Sequence, residues 1–426
     1  MAIRLLNTLY NDPTRLVGSS LSLNCHVYAL SLRELEQRDL PMRILMISDV
    51  YFPRINGVST SIKTFRKELS DLGHEITLIA PEYPQPHEDP TSIMRIPSRY
   101  LFVDPEDRMM RRKPIRARIS ELAQQAFDIL HVQTPFVAHY AGLELSRALK
   151  IPRVVTYHTH FEEYLYHYLP YLPRALTRFS ARWFNRQQCN DMDGIIVPST
   201  AMLDVLRRYG IHKPIEIIAT GLQEHFFRRG DGERFRNKHG ISANRPVLVH
   251  IGRLAHEKNI DFLLHMLVEV VKRVPDVLLI IAGEGPARPH LQKVVSELDL
   301  ENNVLFVGYL DRDTELLDCY CSGQAFVFAS RTETQGLVLL EAMAQSTPVV
   351  SLSILGTRDI LDTARGALLA EENIQDFSDK VIAILSNPTL QQQLSMEAHS
   401  YAQTWSSRAF AEKKQAFYEK TIQQYA

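Results

Sequence analysis

The chain has 426 residues, of which 45% are hydrophobic and 23% charged, and its formal net charge is −1. This length predicts two domains, and the near-zero charge excludes a nucleic-acid partner attracted by overall charge. Four scattered cysteines form no disulfide framework, and no apolar run approaches the roughly 20 residues needed to span a bilayer. These features favour a cytoplasmic protein, with any attraction to a membrane arising from local clusters of charge.

Residues 1–41 do not share the pattern of the rest, so they are expected to form an extension, unless Met42 is the true start. An apolar strand begins at Met42 and leads to a turn with Gly57, after which Ser59 or Thr60 can begin a helix. A glycine between a strand and a helix lets a phosphate or sugar approach the main chain. The glycine-rich fingerprint of dinucleotide-binding folds does not follow, which argues against such an enzyme.

Two basic segments occur in the first half of the chain. Residues 108–118 contain six Arg or Lys residues, and from residue 174 Arg recurs at every fourth position as far as Arg186, with Trp183 on a neighbouring face. A basic amphipathic helix with aromatic residues is typical of a segment lying on an anionic membrane. An ordinary surface helix with its apolar side in the core is the alternative. The presence of two basic segments favours membrane contact.

His158 ends a predicted strand and is expected to face the cleft between the domains, where it would hydrogen-bond a bound sugar. His158 and His160 lie on the same side of an extended chain, and three further polar residues follow: Glu162, Glu163 and His167. Because His-x-His is a common metal-binding pair, a zinc site is the alternative. The sugar contact is the preferred interpretation, and no metal site is predicted.

The second half repeats the α/β pattern after a predicted domain boundary near Gly221. A strand at residues 246–251 leads into a loop with Arg253 and Lys258, which together would neutralise a diphosphate. Salt-bridged surface residues are the alternative. The next strand ends in a loop that would accept a base or ribose against its main chain, formed by Gly283, Glu284 and Gly285.

A polar loop at residues 330–335 lies between a buried strand and a helix entered at Gly336. The carboxyl ends of parallel strands are where ligands bind in α/β sheets. The N–H groups of Leu337 and Val338 would point outward with the positive end of the helix behind them, which predicts a phosphate site.

Two glutamates flank this phosphate site, Glu333 in the loop and Glu341 about one turn into the helix. A carboxylate is a good acceptor for two vicinal hydroxyls, so one glutamate would bind a sugar and the other a ribose. The alternative is one acid favoured by the helix dipole and one solvated acid.

The segment SRTETQGLVLLEAMA at residues 330–344 resembles the signature of retaining GT-B glycosyltransferases of family 4, and the similarity extends from Met42 to the C-terminus. The resemblance implies two Rossmann-like doubly wound domains facing a cleft. Residues 42–220 would bind the acceptor and residues 221–405 the nucleotide sugar. Residues 406–426 would form a helix that packs back on the first domain.

The resemblance also implies roles for individual residues. Arg253 and Lys258 would bind the diphosphate, and Glu333 would contact the donor sugar. The residues expected at the reaction centre are His158, Arg253, Lys258 and Glu333. The residues expected to bind the donor nucleotide are Gly57, Gly283, Glu284, Gly285, Gly336, Leu337, Val338 and Glu341. With two fixed cations at the diphosphate, no metal ion or other cofactor is expected to be required beyond the nucleotide-sugar co-substrate.

Residues 156–165 (TYHTHFEEYL) and 332–336 (TETQG) are most similar to bacterial 1,2-diacylglycerol 3-alpha-glucosyltransferases. That similarity implies transfer of a hexose, with UDP-glucose as the favoured donor, to a membrane lipid at the cytoplasmic face of the cell membrane. Three departures from the family pattern, at Asn56, Gln324 and Gln345, remove no charged site residue.

Several alternatives stay open at this point. They are a soluble or polyprenyl-linked acceptor, GDP-mannose as donor, a nucleotide-sugar epimerase, and an inactive scaffold that binds nucleotide sugars at a membrane.

Overall fold

The computed structural model describes residues 41–84, 89–100, 108–158 and 174–425, and for residues 174–181 only the backbone. Residues Arg43–Ala426 form one compact unit, and the two parallel sheets described below both belong to it.

The first sheet joins seven parallel strands of the described residues in the order β3-β2-β1-β6-β7-β8-β9. Strand β1 lies between β2 and β6, and four of its five residues are buried. A short antiparallel ribbon, β4 with β5, lies outside this sheet. The strands are β1 Arg43–Ile47, β2 Glu75–Pro81, β3 Ile93–Ile96, β4 Ser98–Tyr100, β5 Arg108–Met110, β6 Ile129–Val132, β7 Arg153–Thr156, β8 Gly194–Val197 and β9 Ile215–Ile217.

The second sheet joins six parallel strands of the described residues in the order β12-β11-β10-β13-β14-β15. Strands β10, β11, β13 and β14 are buried along their whole length, as expected for a sheet covered on both faces. The strands are β10 Val247–Ile251, β11 Leu278–Ala282, β12 Val304–Gly308, β13 Ala325–Phe328, β14 Val349–Leu352 and β15 Ala367–Ala370. Two parallel, Rossmann-like sheets confirm the α/β GT-B fold that the sequence predicted.

Helices connect the strands and cover the sheets. Those of the first half are α1 Gly57–Asp71, α2 Arg112–Ala117, α3 Ile119–Ala123, α4 Val137–Leu149, α5 Arg174–Asn190 and α6 Thr200–Arg208. Those that follow are α7 Gly232–Lys238, α8 Ile260–Val271, α9 Arg288–Glu297, α10 Glu315–Ser322, α11 Leu337–Ala344, α12 Thr357–Leu361, α13 Ile374–Ser386, α14 Pro388–Ala402 and α15 Ser407–Tyr425.

Both sheets reverse their strand order beside their first strand, between β1 and β6 and between β10 and β13. Loops that leave neighbouring strands in opposite directions open a crevice at such a point, at the carboxyl ends of the strands. The loops after β1, β10 and β13 therefore meet where a ligand can bind. They carry the predicted residues Arg253 and Glu333, and the loop after β1 leads directly into Gly57, the first residue of helix α1.

Helix α1 begins earlier than the sequence indicated. Its first residue is Gly57, and the side-chain oxygen of Asn56 accepts a hydrogen bond from the N–H of Ser59 at 2.8 Å. Ser59 and Thr60 are therefore inside the first turn and do not precede it. Asn is a strong N-cap because its short side chain reaches the otherwise unpaired N–H groups of that turn.

The chain passes between the sheets at two adjacent points. Leu222 donates its N–H to the carbonyl of Trp405 at 2.8 Å and accepts the N–H of Ser407 at 3.0 Å. Beyond this crossing, helix α15 packs on the first half of the chain, where Tyr418 Oη lies 2.5 Å from Nδ1 of buried His131. The domain boundaries stay a prediction, with Gly221 inside the first crossing.

Helix α5 forms over the predicted basic segment. Arg182, Trp183 and Arg186 are exposed, whereas Asn185 and Cys189 are buried. The helix therefore packs one face in the core and turns an aromatic residue and cations outward. Among the described residues, no helix combines the length and apolar character that crossing a bilayer requires.

Candidate active site

A cavity of about 490 Å³ opens where the loops from the two sheets meet. Its wall contains residues of both halves, from the loop after β1 to the first turns of α11. Ten of the twelve predicted site residues line it: Gly57, His158, Arg253, Lys258, Gly283, Glu333, Gly336, Leu337, Val338 and Glu341. The residues predicted from separate parts of the sequence therefore share one crevice. Glu284 and Gly285 are not among the residues that line it.

Lys258 and Glu333 form an ion pair inside this cavity. Their side chains are 20% and 18% exposed, so water screens the pair only partly. Lys258 is the last residue of a short 3-10 helix after β10, and Glu333 lies in the loop after β13. An incoming diphosphate would compete with Glu333 for the ammonium group, since both are anions. The ion pair thus keeps the Lys258 ammonium group in the cavity, with its charge balanced by the Glu333 carboxylate.

Gly336 provides the turn from this loop into helix α11. Its φ of 92° lies in the left-handed region, which residues with a Cβ rarely adopt. The N–H groups of Leu337 and Val338 follow at the N-terminus of an eight-residue helix that points into the cavity. Because those first N–H groups have no acceptor within a helix, this end suits an anion. The loop also packs on Gly356, whose N–H donates to the Glu333 carbonyl at 2.9 Å.

Glu341 has a hydrogen-bonded partner on each carboxylate oxygen. Arg312 donates to Oε1 at 2.7 Å, and the hydroxyl of Tyr320 donates to Oε2 at 2.9 Å. The Glu341 side chain is only 4% exposed, whereas Arg312 is 26% exposed and also lines the cavity. Each oxygen retains a second lone pair, so ribose hydroxyls can bind beside these donors. The two protein donors fix the orientation in which Glu341 would receive them.

Arg312 also lines the cavity, as do Arg54 and Arg108, and the sequence analysis placed none of these three cations in the site. Arg312 lies in the loop after β12, four residues beyond Gly308. The only available signal was its position after the carboxyl end of a strand, which many surface residues share.

The glycines after β11 serve close packing. A Cβ at Gly283 would lie 2.0 Å from the Gly252 carbonyl oxygen, and one at Gly285 would lie 2.3 Å from the Leu254 carbonyl oxygen. The Gly252–Leu254 backbone, which includes Arg253, thus rests directly on these glycines. Glu284 forms an ion pair with Arg288 at the start of α9. A nucleotide-binding role for Glu284 and Gly285 stays a prediction.

His158 lies on the side of the cavity formed by the first half of the chain. Its Nε2 is 3.1 Å from the side-chain oxygen of Gln133, an acceptor, so Nε2 carries the proton. Burial, followed by the charge of Lys414, lowers the pKa of His158 to about 3. The imidazole is therefore neutral near pH 7.

Asp49 lies on the same side, after β1, and also lines the cavity. Its carboxylate accepts the Thr134 hydroxyl at 2.8 Å and the N–H of Ala138 at the start of α4. Burial raises its pKa to about 6, although these hydrogen bonds act in the opposite direction. Asp49 orders the wall beside His158, and the sequence analysis did not single it out.

The zinc alternative at His158 involves residues that the structure does not describe. His160, Glu162, Glu163 and His167 all lie outside the described residues. Within the described part, His256, Asp261 and His290 bring three donor atoms within 4.8 Å of one another. Nε2 of His290 already lies 2.6 Å from an Asp261 oxygen, and both histidines are exposed.

The geometry can be compared with known proteins. The family model described as "Glycosyltransferase Family 4" matches residues 55–226, and the one described as "Glycosyl transferases group 1" matches residues 231–401. Together these matches cover every strand of the two sheets except β1.

Three curated relatives are similar over most of the chain. An alpha-monoglucosyldiacylglycerol synthase of Streptococcus pneumoniae is 32% identical over 320 residues, covering 73% of this chain and 71% of the relative. The protein of the same name from Acholeplasma laidlawii is 27% identical, covering 88% and 96%. A GDP-mannose-dependent alpha-mannosyltransferase of Mycobacterium tuberculosis is 28% identical, covering 77% and 83%.

Solved structures agree with the fold. A sucrose-phosphate synthase from Thermosynechococcus elongatus superposes with a TM-score of 0.72 at 20% identity, covering 89% of this chain and 98% of that one. The HepE protein of Anabaena, solved in complex with UDP, gives a TM-score of 0.68 at 16% identity, covering 89% and 100%. Fold, site and relatives define the chain as a glycosyltransferase. It belongs to the GT-B glycosyltransferases of family 4, which confirms the resemblance seen in the sequence.

Proposed function

We propose that this enzyme transfers a hexose from a nucleotide diphosphate sugar to a hydroxyl group of a membrane lipid, with retention of the α configuration. UDP-glucose is the favoured donor and diacylglycerol the favoured acceptor. The observation that supports this most directly is the shared cavity. Cations and helix-end amides meet there between two carboxylates, as a sugar nucleotide requires.

The donor end of the cavity matches the charge of a diphosphate. Arg253, Lys258 and the amides that begin α11 all line it. As the glycosidic bond breaks, its electron pair moves to the leaving phosphate oxygen, and fixed donors around that oxygen stabilise the developing charge. Glu341, already oriented by Arg312, would bind the ribose, and Glu333 would contact the sugar.

The acceptor end supports an apolar substrate. Ile55 and Phe136 line the cavity from the first half of the chain, yet they are 38% and 48% exposed. An apolar acceptor would cover them. The hydroxyl of this acceptor would attack the anomeric carbon on the face that the phosphate leaves, near neutral His158. The hydroxyl proton would pass to the leaving phosphate oxygen, so no protein carboxylate has to form a covalent intermediate.

A peripheral position at the cytoplasmic membrane face would bring the lipid to the cavity. Arg111, just before helix α2, and Lys113, within it, are both exposed. Trp183 on helix α5 is 60% exposed. Cations near an anionic leaflet contribute on the order of 1 kcal/mol each, and an exposed Trp suits the interface. Two similar relatives are named for synthesis of a glucosyldiacylglycerol, which supports the same acceptor class.

A donor panel with defined acceptors tests this function. Purified enzyme is incubated with UDP-glucose, UDP-galactose or GDP-mannose and with vesicles containing diacylglycerol, and both released nucleotide and glycolipid are measured. We expect glucolipid from UDP-glucose, with an α anomeric signal in its NMR spectrum. A β product, or no glycolipid from any donor, would contradict the proposal.

The alternatives give different results in the same assays. The similarity to a GDP-mannose-dependent enzyme keeps a mannosyltransferase as the second candidate, and it predicts product from GDP-mannose alone. A soluble-acceptor enzyme would not float with anionic vesicles, and an inactive scaffold would bind nucleotide without consuming donor.

Flotation of a Trp183→Ser variant tests the membrane contact. It should bind anionic vesicles less tightly than Met396→Ser, its matched control, since the two side chains are 60% and 61% exposed on different halves of the chain.

A further inference from the structure

Gln335 lies between the two residues that most directly shape the donor site, Glu333 and Gly336, yet its side chain turns away toward the chain crossing. Its amide oxygen accepts the N–H of Thr220 at 2.8 Å, and its amide nitrogen donates to the carbonyl of Thr220 at 2.5 Å. Both side chains are buried, with exposures of 7% and 5%. One side chain therefore satisfies both main-chain groups of a residue 115 positions away.

Thr220 belongs to the strand-like segment that carries the chain from the first sheet to the second. Its neighbour Gly221 packs on the returning chain so closely that a Cβ there would lie 2.6 Å from the backbone of Ser406. The hydroxyl of Thr220 also lies 2.8 Å from that of Ser61 on helix α1. Thr220 thus contacts helix α1 and the donor loop, and its neighbour Gly221 contacts the returning chain segment.

We propose that Gln335 is a positioning residue that fixes the donor loop to the crossing between the two halves. Through it, the placement of Glu333 and of the α11 amides depends on the relative orientation of the halves. The proposal rests on the proposed function for its kinetic consequence, but the mechanical link itself rests on hydrogen bonds alone.

The chemistry of this contact is specific to a primary amide. A glutamate at 335 would accept the Thr220 N–H but has no donor for the carbonyl, and a methionine of similar length would do neither. Since both Thr220 groups are buried, losing the amide leaves them without these partners. The native loop then loses its preference for one position.

The chain offers a matched control in Gln345. This buried glutamine accepts the N–H of Gly230 at 2.9 Å and donates to main-chain carbonyls of Phe226 and Arg228. It therefore makes the same kind of contact from the other end of helix α11, and it does not line the cavity. Gln345→Met should destabilise the fold about as much as Gln335→Met without moving the donor loop.

Hydrogen exchange measures the link without any substrate. Removing Gln335's amide should accelerate exchange of the Gly356 amide about tenfold or more, because this amide is protected by its hydrogen bond to the Glu333 carbonyl and the loop that carries Glu333 is no longer fixed to Thr220. Gln345→Met should leave exchange of the Gly356 amide unchanged. Equal exchange in the Gln335→Met variant and wild type would overturn the proposal.

Steady-state kinetics then test the consequence. Gln335→Met should lower kcat about 10- to 100-fold, in line with a small misplacement of catalytic groups, and Gln335→Glu should fall between it and wild type. We expect kcat to stay within about threefold of wild type in Gln345→Met and in Thr220→Val. The Thr220→Val variant retains the main-chain groups that bind the Gln335 amide.

A kcat loss that Gln345→Met shares would mean that Gln335 matters only for stability. If wild-type enzyme turns over no donor, the proposed function fails, while the exchange result still decides whether the link exists.

Discussion

Replacing Lys258 with methionine tests the diphosphate site most directly. Methionine keeps the length of the side chain and its packing at the end of the 3-10 helix, but it removes the ammonium group. One preorganised donor to a developing oxyanion is worth about 3–4 kcal/mol, so kcat/KM should fall roughly 100- to 1000-fold. Arg253 and the α11 amides remain, which is why some activity should persist.

The ion pair between Lys258 and Glu333 predicts that replacing either partner changes nucleotide affinity, but in opposite directions. Glu333→Gln removes the anion that competes for Lys258, so the variant should bind free UDP or GDP more tightly than wild type, while Lys258→Met should bind it more weakly. Calorimetry with each nucleotide measures both effects, and the double variant gives their coupling. Lys272→Met is the matched control, because Lys272 forms an ion pair with Glu269 at a 61% exposed position.

Turnover of Lys258→Met within threefold of wild type would refute the diphosphate assignment. A fall of equal size in Lys272→Met would attribute the loss to general effects of charge. The free energy of unfolding of Lys258→Met should change less than its activation free energy. The lost ion pair is about one-fifth exposed and contributes on the order of 1 kcal/mol to stability.

Three further predictions concern the supporting structure. Arg312→Met leaves the buried carboxylate of Glu341 without its cation. Nucleotide affinity, measured by calorimetry, should fall at least tenfold, and the melting temperature, measured by thermal unfolding, should drop. Unchanged affinity would contradict the pairing. Gly283→Ala should destabilise the fold by more than about 2 kcal/mol in urea titrations, because its φ is 129° and its Cβ would meet the Gly252 carbonyl; a neutral effect would contradict that packing. Burial lowers the pKa of six of the described histidines below the unfolded value, and most strongly the pKa of His131, His158 and His250. Their contribution to stability is present above the unfolded pKa near 6.5 and is lost as pH falls, whereas Asp49, whose pKa is raised to about 6, acts in the opposite direction. Because the histidines outnumber Asp49, the free energy of unfolding should fall between pH 6 and pH 5, and a flat urea midpoint over that range would contradict this.

The sequence predicted the strand, loop and helix around Gly336 well because their signals are local. Gly336, the polar loop before it and the apolar strand before that loop follow one another directly, so this unit could be predicted without tertiary contacts, while its role as an anion site stays a prediction. The start of helix α1 was predicted less well. Asn56 caps Gly57–Asp71, and turn propensity alone did not distinguish a turn residue from a cap.

Residues whose roles depend on distant partners escaped the sequence analysis. Arg312 acquires meaning only because Glu341, 29 positions later, accepts its hydrogen bond, and Gln335 only because Thr220 is folded against it. Glu284 also has a partner that the sequence did not indicate, since it forms an ion pair with Arg288, and its nucleotide-binding role stays a prediction.

The sequence alone specifies where the strands follow one another along the chain, which glycines end them and how the acids and cations are spaced. Each of these follows from a backbone preference or a local period. Which of those charges face one another was decided by the packing of the two sheets. Pairing in a shared crevice depends on where separate segments come to rest, and no local preference determines that.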